Sequence, residues 1–111
     1  MMNLTYAVER LYEAGWLAEQ QEGLEFLEDG RRFPSVLNVQ NEFARAGLEL
    51  SIKHNMMFNC YRATWAPIGE ALDPGHQADE RHGTVIGSCP REAAVFALAQ
   101  LRSSQLEMMN A

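Results

Sequence analysis

The sequence lacks the features that mark exported, membrane-bound or disulfide-stabilised proteins. Its 111 residues include two cysteines, and the N-terminus has no basic segment followed by an apolar one, so no signal peptide is predicted. No apolar run approaches the ~20 residues that a membrane span requires. Because nothing indicates export, we expect reduced thiols, a cytoplasmic location and no contact with a membrane.

Basic residues are also scarce. The net charge is −6, and no run of lysine or arginine exceeds the pair Arg31-Arg32. An acidic surface repels phosphate groups, so binding to nucleic acid would require a local basic patch. The composition therefore argues against nucleic acid as a partner. The arginines that such a patch would use are Arg31, Arg32, Arg62 and Arg91.

The composition that remains is typical of one globular domain. Hydrophobic residues make up 47% and charged residues 22% of the chain, and there is no internal repeat. We therefore predict a single domain over residues 1–111. It divides into an N-terminal helix and corner (1–33), a core (34–106) and a tail (107–111).

Apolar spacing and capping residues predict the first two helices. A helix is expected over residues 4–14, ending at Gly15 or continuing to about Gln20. Ser35 is placed to cap the second helix, and Gly47 is placed to end it. The segment between these helices contains Asp29-Gly30, a tight-turn dipeptide, and indicates either a small hairpin or an irregular corner.

Three strands are predicted next. The first alternates apolar and polar residues from Leu48 to Lys53, and a turn at His54-Asn55 leads into a second strand over 56–66. The apolar phase of the second strand changes near Cys60, which indicates a bulge or a strand covered on both faces. A polar loop over 67–82 precedes the third strand, Thr84 to Ile86.

The third helix begins near Pro90 and runs to about Gln105. Together these elements predict an α+β fold, with a three-stranded antiparallel sheet in an α-β-β-β-α core and an additional N-terminal helix. Both core helices would lie on one face of the sheet. The N-terminal helix would then cover the free face or extend the core at an edge.

The stretch "GSCPREAAVF" (87–96) contains the sharpest candidate for chemistry, Cys89. Proline suits the first helical position, so Cys89 becomes the N-cap and Glu92 the third helical residue. A helix N-terminus stabilises a thiolate, so a redox or small-ligand role is one hypothesis for Cys89, with Cys60 as a second thiol. The alternative is that Cys89 only caps the helix and Cys60 fills space in the core.

The element order and this final motif resemble the double-stranded RNA-binding domain over residues 34–104. In that family the last helix begins with lysines that contact RNA phosphates. The corresponding residues here are Cys89-Pro90-Arg91-Glu92, and the loop after the first strand offers only Lys53, His54 and Asn55. The resemblance therefore implies the scaffold of that domain without its phosphate clamp.

A second resemblance is to small accessory proteins of phages and mobile elements that contain an α-β-α sandwich domain. The matching stretches are "AVERLYEAGW", "VLNVQNEFARAGLELSI", "YRATW" and "CPREAAVFALAQL". Those proteins generally have no assigned activity. The resemblance implies a phage-related or mobile-gene context rather than a reaction.

Two further groups of side chains have a functional and a structural interpretation. Trp16, Tyr61 and Trp65 would suit base stacking or packing in the core, and the acidic balance favours the core. The loop "LDPGHQADERH" (72–82) contains two histidines and three acids, but it has no helix or strand to fix ligand spacing. We interpret it as a solvated loop and predict neither a metal site nor a cofactor.

Exposed methionines suit an adaptable interface between proteins. The candidates for that interface are Met56, Met57, Leu106, Met108 and Met109. No catalytic group is assembled in the sequence, so the first hypothesis is a non-enzymatic accessory or interaction protein that forms a homodimer. Nucleic-acid binding on the RNA-binding-like scaffold is the second hypothesis, and a role centred on Cys89 is the third.

Overall fold

The computed structural model describes residues 4–16, 23–69 and 82–109, with side chains up to Ser104. It has an α+β fold in which a three-stranded antiparallel sheet and a two-stranded hairpin accompany three helices. The elements are α1 (Leu4–Glu13), β1 (Leu24–Phe26), β2 (Arg32–Pro34), α2 (Val36–Arg45), β3 (Leu48–Asn55), β4 (Cys60–Pro67), β5 (Gly83–Gly87) and α3 (Pro90–Met109). The predicted class and the three-stranded sheet are confirmed, and the hairpin of β1 and β2 is an addition to the predicted core.

The ambiguous segment before α2 is this hairpin rather than an irregular corner. Its turn contains the predicted Asp29-Gly30 pair, and Gly30 takes a φ of +90°, a conformation that glycine adopts without strain. The Arg31 side chain donates a hydrogen bond of 2.9 Å to Asp29. This bond lowers the pKa of Asp29, and the same carboxylate raises the pKa of Arg31.

Tyr12 joins α1 to the hairpin. Its hydroxyl donates to the carbonyl oxygen of Arg32 at 2.6 Å and accepts from the Arg32 amide at 3.1 Å. The helix ends at Glu13, and Gly15 has a φ of +87°, so the predicted end at Gly15 is confirmed and a continuation to Gln20 is wrong. Residues 17–22 lie outside the described ranges.

The second strand of the sheet begins later than the sequence predicted. β3 continues through His54-Asn55, the turn occupies residues 56–59, and β4 starts at Cys60. Pairing is unbroken from Asn55–Cys60 to Leu48–Pro67, so there is no bulge. The strand predicted over 56–66 includes Met56 and Phe58. Because both lie in the turn instead, the predicted change of apolar phase near Cys60 does not occur within β4.

The two faces of the sheet have different environments. The side that faces the helices buries Leu48, Leu50, Ala63, Trp65 and Val85. On the other side, which we call the open face, Lys53, Arg62 and Thr84 are exposed. The N-terminal helix does not cover the open face, because α1 packs against α3 instead. It therefore extends the helical layer, and its Tyr6 ring stacks on Phe96 of α3 at 6.3 Å.

Helix α3 lies at the centre of the molecule. It contacts all three strands of the sheet as well as α1 and α2. Five of its apolar side chains are at most 1% exposed: Ala93, Ala94, Val95, Ala97 and Leu98. The helix continues to Met109, so residues 107–109 of the predicted tail are helical.

The contact between α3 and β5 leaves no room for a side chain at Gly87. A Cβ atom placed there would lie 2.6 Å from the backbone nitrogen of Ala93. Because the atom that the added methyl group meets belongs to the backbone and not to a flexible side chain, Gly87→Ala should lower the free energy of unfolding by about 1–3 kcal/mol. Thr84→Ala on the exposed side of the same strand is the control for chemical denaturation, and equal losses in both variants would contradict the steric explanation.

Candidate functional site

The turn between β3 and β4 presents three consecutive large apolar side chains to solvent. Met56, Met57 and Phe58, which we call the hairpin tip, are 85%, 84% and 73% exposed. Turns of this kind usually contain glycine, which tolerates a positive φ, or asparagine, aspartate or serine, whose side chains bond to the nearby backbone. The turn itself does not require apolar side chains at these three positions.

Polar side chains on both sides fix the backbone of the hairpin tip. The Asn55 side-chain oxygen accepts from the amides of Met57 (3.0 Å) and Phe58 (3.3 Å). Asn59 closes the turn in the left-handed region, with a φ of 47°, and lies 3.2 Å from His54 Nε2. The two asparagines therefore satisfy the turn, and the apolar side chains between them are free to contact a partner.

The tip contains two of the five residues that the sequence predicts for an interface. Met56 and Met57 are candidates from the sequence, whereas Phe58 is not, because that prediction is based on exposed methionines. The side chains of Leu106, Met108 and Met109 lie outside the described part of the structure. A signal for Phe58 does exist in the sequence, since Asn55 precedes and Asn59 ends a four-residue turn over 56–59.

The four candidate arginines differ in their surroundings. Arg31 contacts Asp29 at 2.8 Å and Glu9 at 3.7 Å, and Arg91 contacts Glu25 at 3.2 Å. Carboxylates therefore bind two of the four.

The other two arginines lie on different sheets. Arg32 is in β2, where its backbone is bonded to the Tyr12 hydroxyl. Arg62 lies on the open face of the three-stranded sheet, directly opposite Lys53.

The two cysteines are both free thiols. Cys89 occupies the predicted N-cap position of α3, and its sulfur accepts from the Glu92 amide at 3.5 Å. The Glu92 side chain is buried and accepts a short hydrogen bond from the Ser88 hydroxyl. No imidazole or amine in the described residues is bonded to the Cys89 sulfur, so its observed role is to cap the helix. Cys60 is half-buried at the start of β4.

The tryptophans belong to the core. Trp16 and Trp65 are each 6% exposed. Trp65 packs on Phe43 of α2 with ring centroids 5.4 Å apart, and Trp16 Nε1 donates to Glu42 at 3.4 Å. The core interpretation is confirmed for both, and neither presents a ring face for stacking on a base. Tyr61 is half-buried against His54.

Residues 4–16, 23–69 and 82–109 contain no group of three or more histidine, cysteine, aspartate or glutamate side chains arranged to hold a metal ion. The segment 70–81, which contains most of the predicted polar loop, is outside those ranges. None of the described helices combines the length and the apolar character needed to cross a membrane.

Comparison with known proteins adds no relative. No protein-family model, curated protein or solved structure was found to match the chain. The two resemblances noted in the sequence therefore stay predictions.

Capping by Cys89 can be separated from thiol chemistry by substitution. Cys89→Ser should keep or raise the melting temperature because an oxygen is the better acceptor at an N-cap, whereas Cys89→Ala should cost about 1 kcal/mol of stability. Thermal unfolding of both variants provides the test.

A reactive Cys89 thiol would be recognised by its rate of alkylation. If Cys89 is a reactive thiol, the Cys60→Ser protein, in which Cys89 remains, will be alkylated at neutral pH much faster than a free thiol. Alkylation at the ordinary rate would leave capping as the role of this residue.

Proposed function

We propose that this chain is a non-enzymatic protein-interaction module that forms a homodimer through the hairpin tip. The observation that carries the proposal is the exposure of Met56, Met57 and Phe58 side by side on a fixed turn. The free thiols fit the reducing cytoplasm, where we place the protein.

The tip differs from the other exposed apolar residues of the chain. Phe26, Leu37 and Ile68 are also more than half exposed, but Phe26 lies in β1, Leu37 lies in α2 and Ile68 follows the end of β4. Apolar residues scattered singly over a surface are normal, whereas a contiguous group marks a place of contact. The tip is therefore the best candidate for the centre of an interface.

A second copy of the chain suits the chemistry of the tip. Methionine adapts its flexible side chain to irregular surfaces and makes favourable contacts with aromatic rings. Two tips related by a twofold axis would place methionines of one copy against the phenylalanine of the other, since such an interface is self-complementary. The tip contains no charged side chain, so the tip residues of two copies do not repel each other electrostatically.

Nucleic-acid binding is less well supported. Binding to a phosphate backbone requires several free cations on one surface. Carboxylates bind Arg31 and Arg91, and the chain as a whole has a net charge of −6. The tryptophans that would have stacked on bases are buried.

The homodimer is tested by removing the apolar side chains of the tip. Met57→Ser/Phe58→Ser should weaken self-association by at least about tenfold, because buried apolar anchors contribute about 2 kcal/mol or more to an interface. Its melting temperature as a monomer should stay close to that of the original chain, since these side chains are exposed. Sedimentation velocity over a range of protein concentrations gives the dissociation constant.

The matched control is Phe26→Ser/Leu37→Ser. It also removes one aromatic and one aliphatic side chain, which are 67% and 65% exposed, from elsewhere on the surface. It should dimerise as the original chain does. A protein that stays monomeric at all concentrations, or equal weakening by both double variants, would contradict the proposal.

A further inference from the structure

The open face of the sheet contains a depression of about 300 Å³. We call it the basic depression, because two of the residues that line it are cations. The lining residues are Ser51, Lys53, Arg62, Thr64 and Thr84. They come from all three strands, so the strand register fixes their relative positions.

Lys53 and Arg62 lie directly opposite each other on β3 and β4. Like charges in this position destabilise a sheet. Neither cation contacts a carboxylate among the described residues, although this chain has fifteen acids against nine bases. The unfavourable pair is therefore uncompensated in the described structure, and an anion from outside the chain would relieve it.

The local sequence keeps the depression positive. Residues 50–69 contain no aspartate or glutamate, so Lys53 and Arg62 give this segment a charge of +2 with His54 neutral. The rest of the chain then has a charge of −8, since the total is −6. Within β3, the acid on the open face is Glu49, which lies four residues from Lys53, or about 13 Å of extended strand.

Three hydroxyl groups lie in the next row of the same face. Ser51 pairs with Thr64, and Thr64 pairs with Thr84. Each hydroxyl can donate one hydrogen bond. A guanidinium, an ammonium and three hydroxyls together offer more donors than the two oxygens of a carboxylate require. This set of donors matches the three terminal oxygens of a phosphate monoester.

The size of the depression limits the ligand. Its volume is at the lower end of the range for small-molecule sites. One phosphate group and a short substituent would fill it. A nucleic-acid strand needs several phosphate contacts in succession, whereas the described residues that line the depression include one pair of cations.

We propose that the basic depression binds the phosphate group of a small phosphate monoester, with Lys53 and Arg62 as the charged ligands and the three hydroxyls as further donors. This proposal does not rest on dimerisation, because the tip residues Met57 and Phe58 do not line the depression.

Lys53 is the only lysine of the chain, which permits a direct test. The protein is acetylated with an amine-reactive ester in inorganic phosphate, in glycerol phosphate, or in sodium chloride of equal ionic strength, and modification is followed by mass spectrometry. Both phosphates should slow acetylation of Lys53 relative to the α-amine, which is an internal control. Protection by glycerol phosphate at lower concentration identifies a monoester as the ligand. Stronger protection by inorganic phosphate would overturn the monoester in favour of the free ion.

Charge reversal separates binding from stability. Lys53→Glu creates an opposite-charge pair with Arg62, so its melting temperature without phosphate should equal or exceed that of the original chain. Its affinity for glycerol phosphate, measured by NMR titration, should fall by at least about tenfold. Arg45→Glu, at an exposed position on α2, has the same net charge and should bind as the original chain does. The tip variant Met57→Ser/Phe58→Ser should also bind normally, whatever its oligomeric state.

Three further results would overturn the proposal. One is equal acetylation of Lys53 in phosphate and chloride, and another is unchanged binding by Lys53→Glu. The third is protection by a single-stranded oligonucleotide at concentrations where glycerol phosphate gives none, which would identify a nucleic-acid site instead.

Discussion

The close approach of α3 to the sheet is the contact on which the rest of the structure depends. Gly87 and Ala93 meet backbone to backbone, which is possible only without a larger side chain at position 87. This contact buries the first turns of α3 against the sheet, while α1 and α2 pack on its remaining sides. All three helices are thereby drawn to one layer, and the opposite face of the sheet is left for other uses.

The hairpin of β3 and β4 contains the solvent-exposed residues of both proposed sites. Its eight continuous residue pairs make it the longest paired unit in the described chain. One side of the hairpin is anchored by core residues such as Leu50 and Trp65. The same pairing fixes the positions of the residues on the other side and in the turn, where Lys53, Arg62 and the tip residues are exposed.

Both proposed sites break a local rule of protein structure. Apolar side chains at Met57 and Phe58 stand where a turn favours polar residues, and Lys53 stands opposite another cation. Among the described residues, no carboxylate compensates the Lys53–Arg62 pair, and the tip side chains are not buried. Local violations of this kind are expected at functional positions, since the interaction that compensates them comes from a partner or ligand rather than from the chain itself.

The sequence by itself determined the elements whose signals are local. The spacing of Ala7, Val8 and Leu11, the caps at Ser35 and Cys89, and the alternation that begins at Leu48 were sufficient, because each depends on neighbours a few residues away. Only the tertiary structure decided where β4 begins, that α1 packs on α3 rather than on the sheet, and that Lys53 lies opposite Arg62. These features depend on strand register and on packing between distant segments, so no local pattern of residues specifies them.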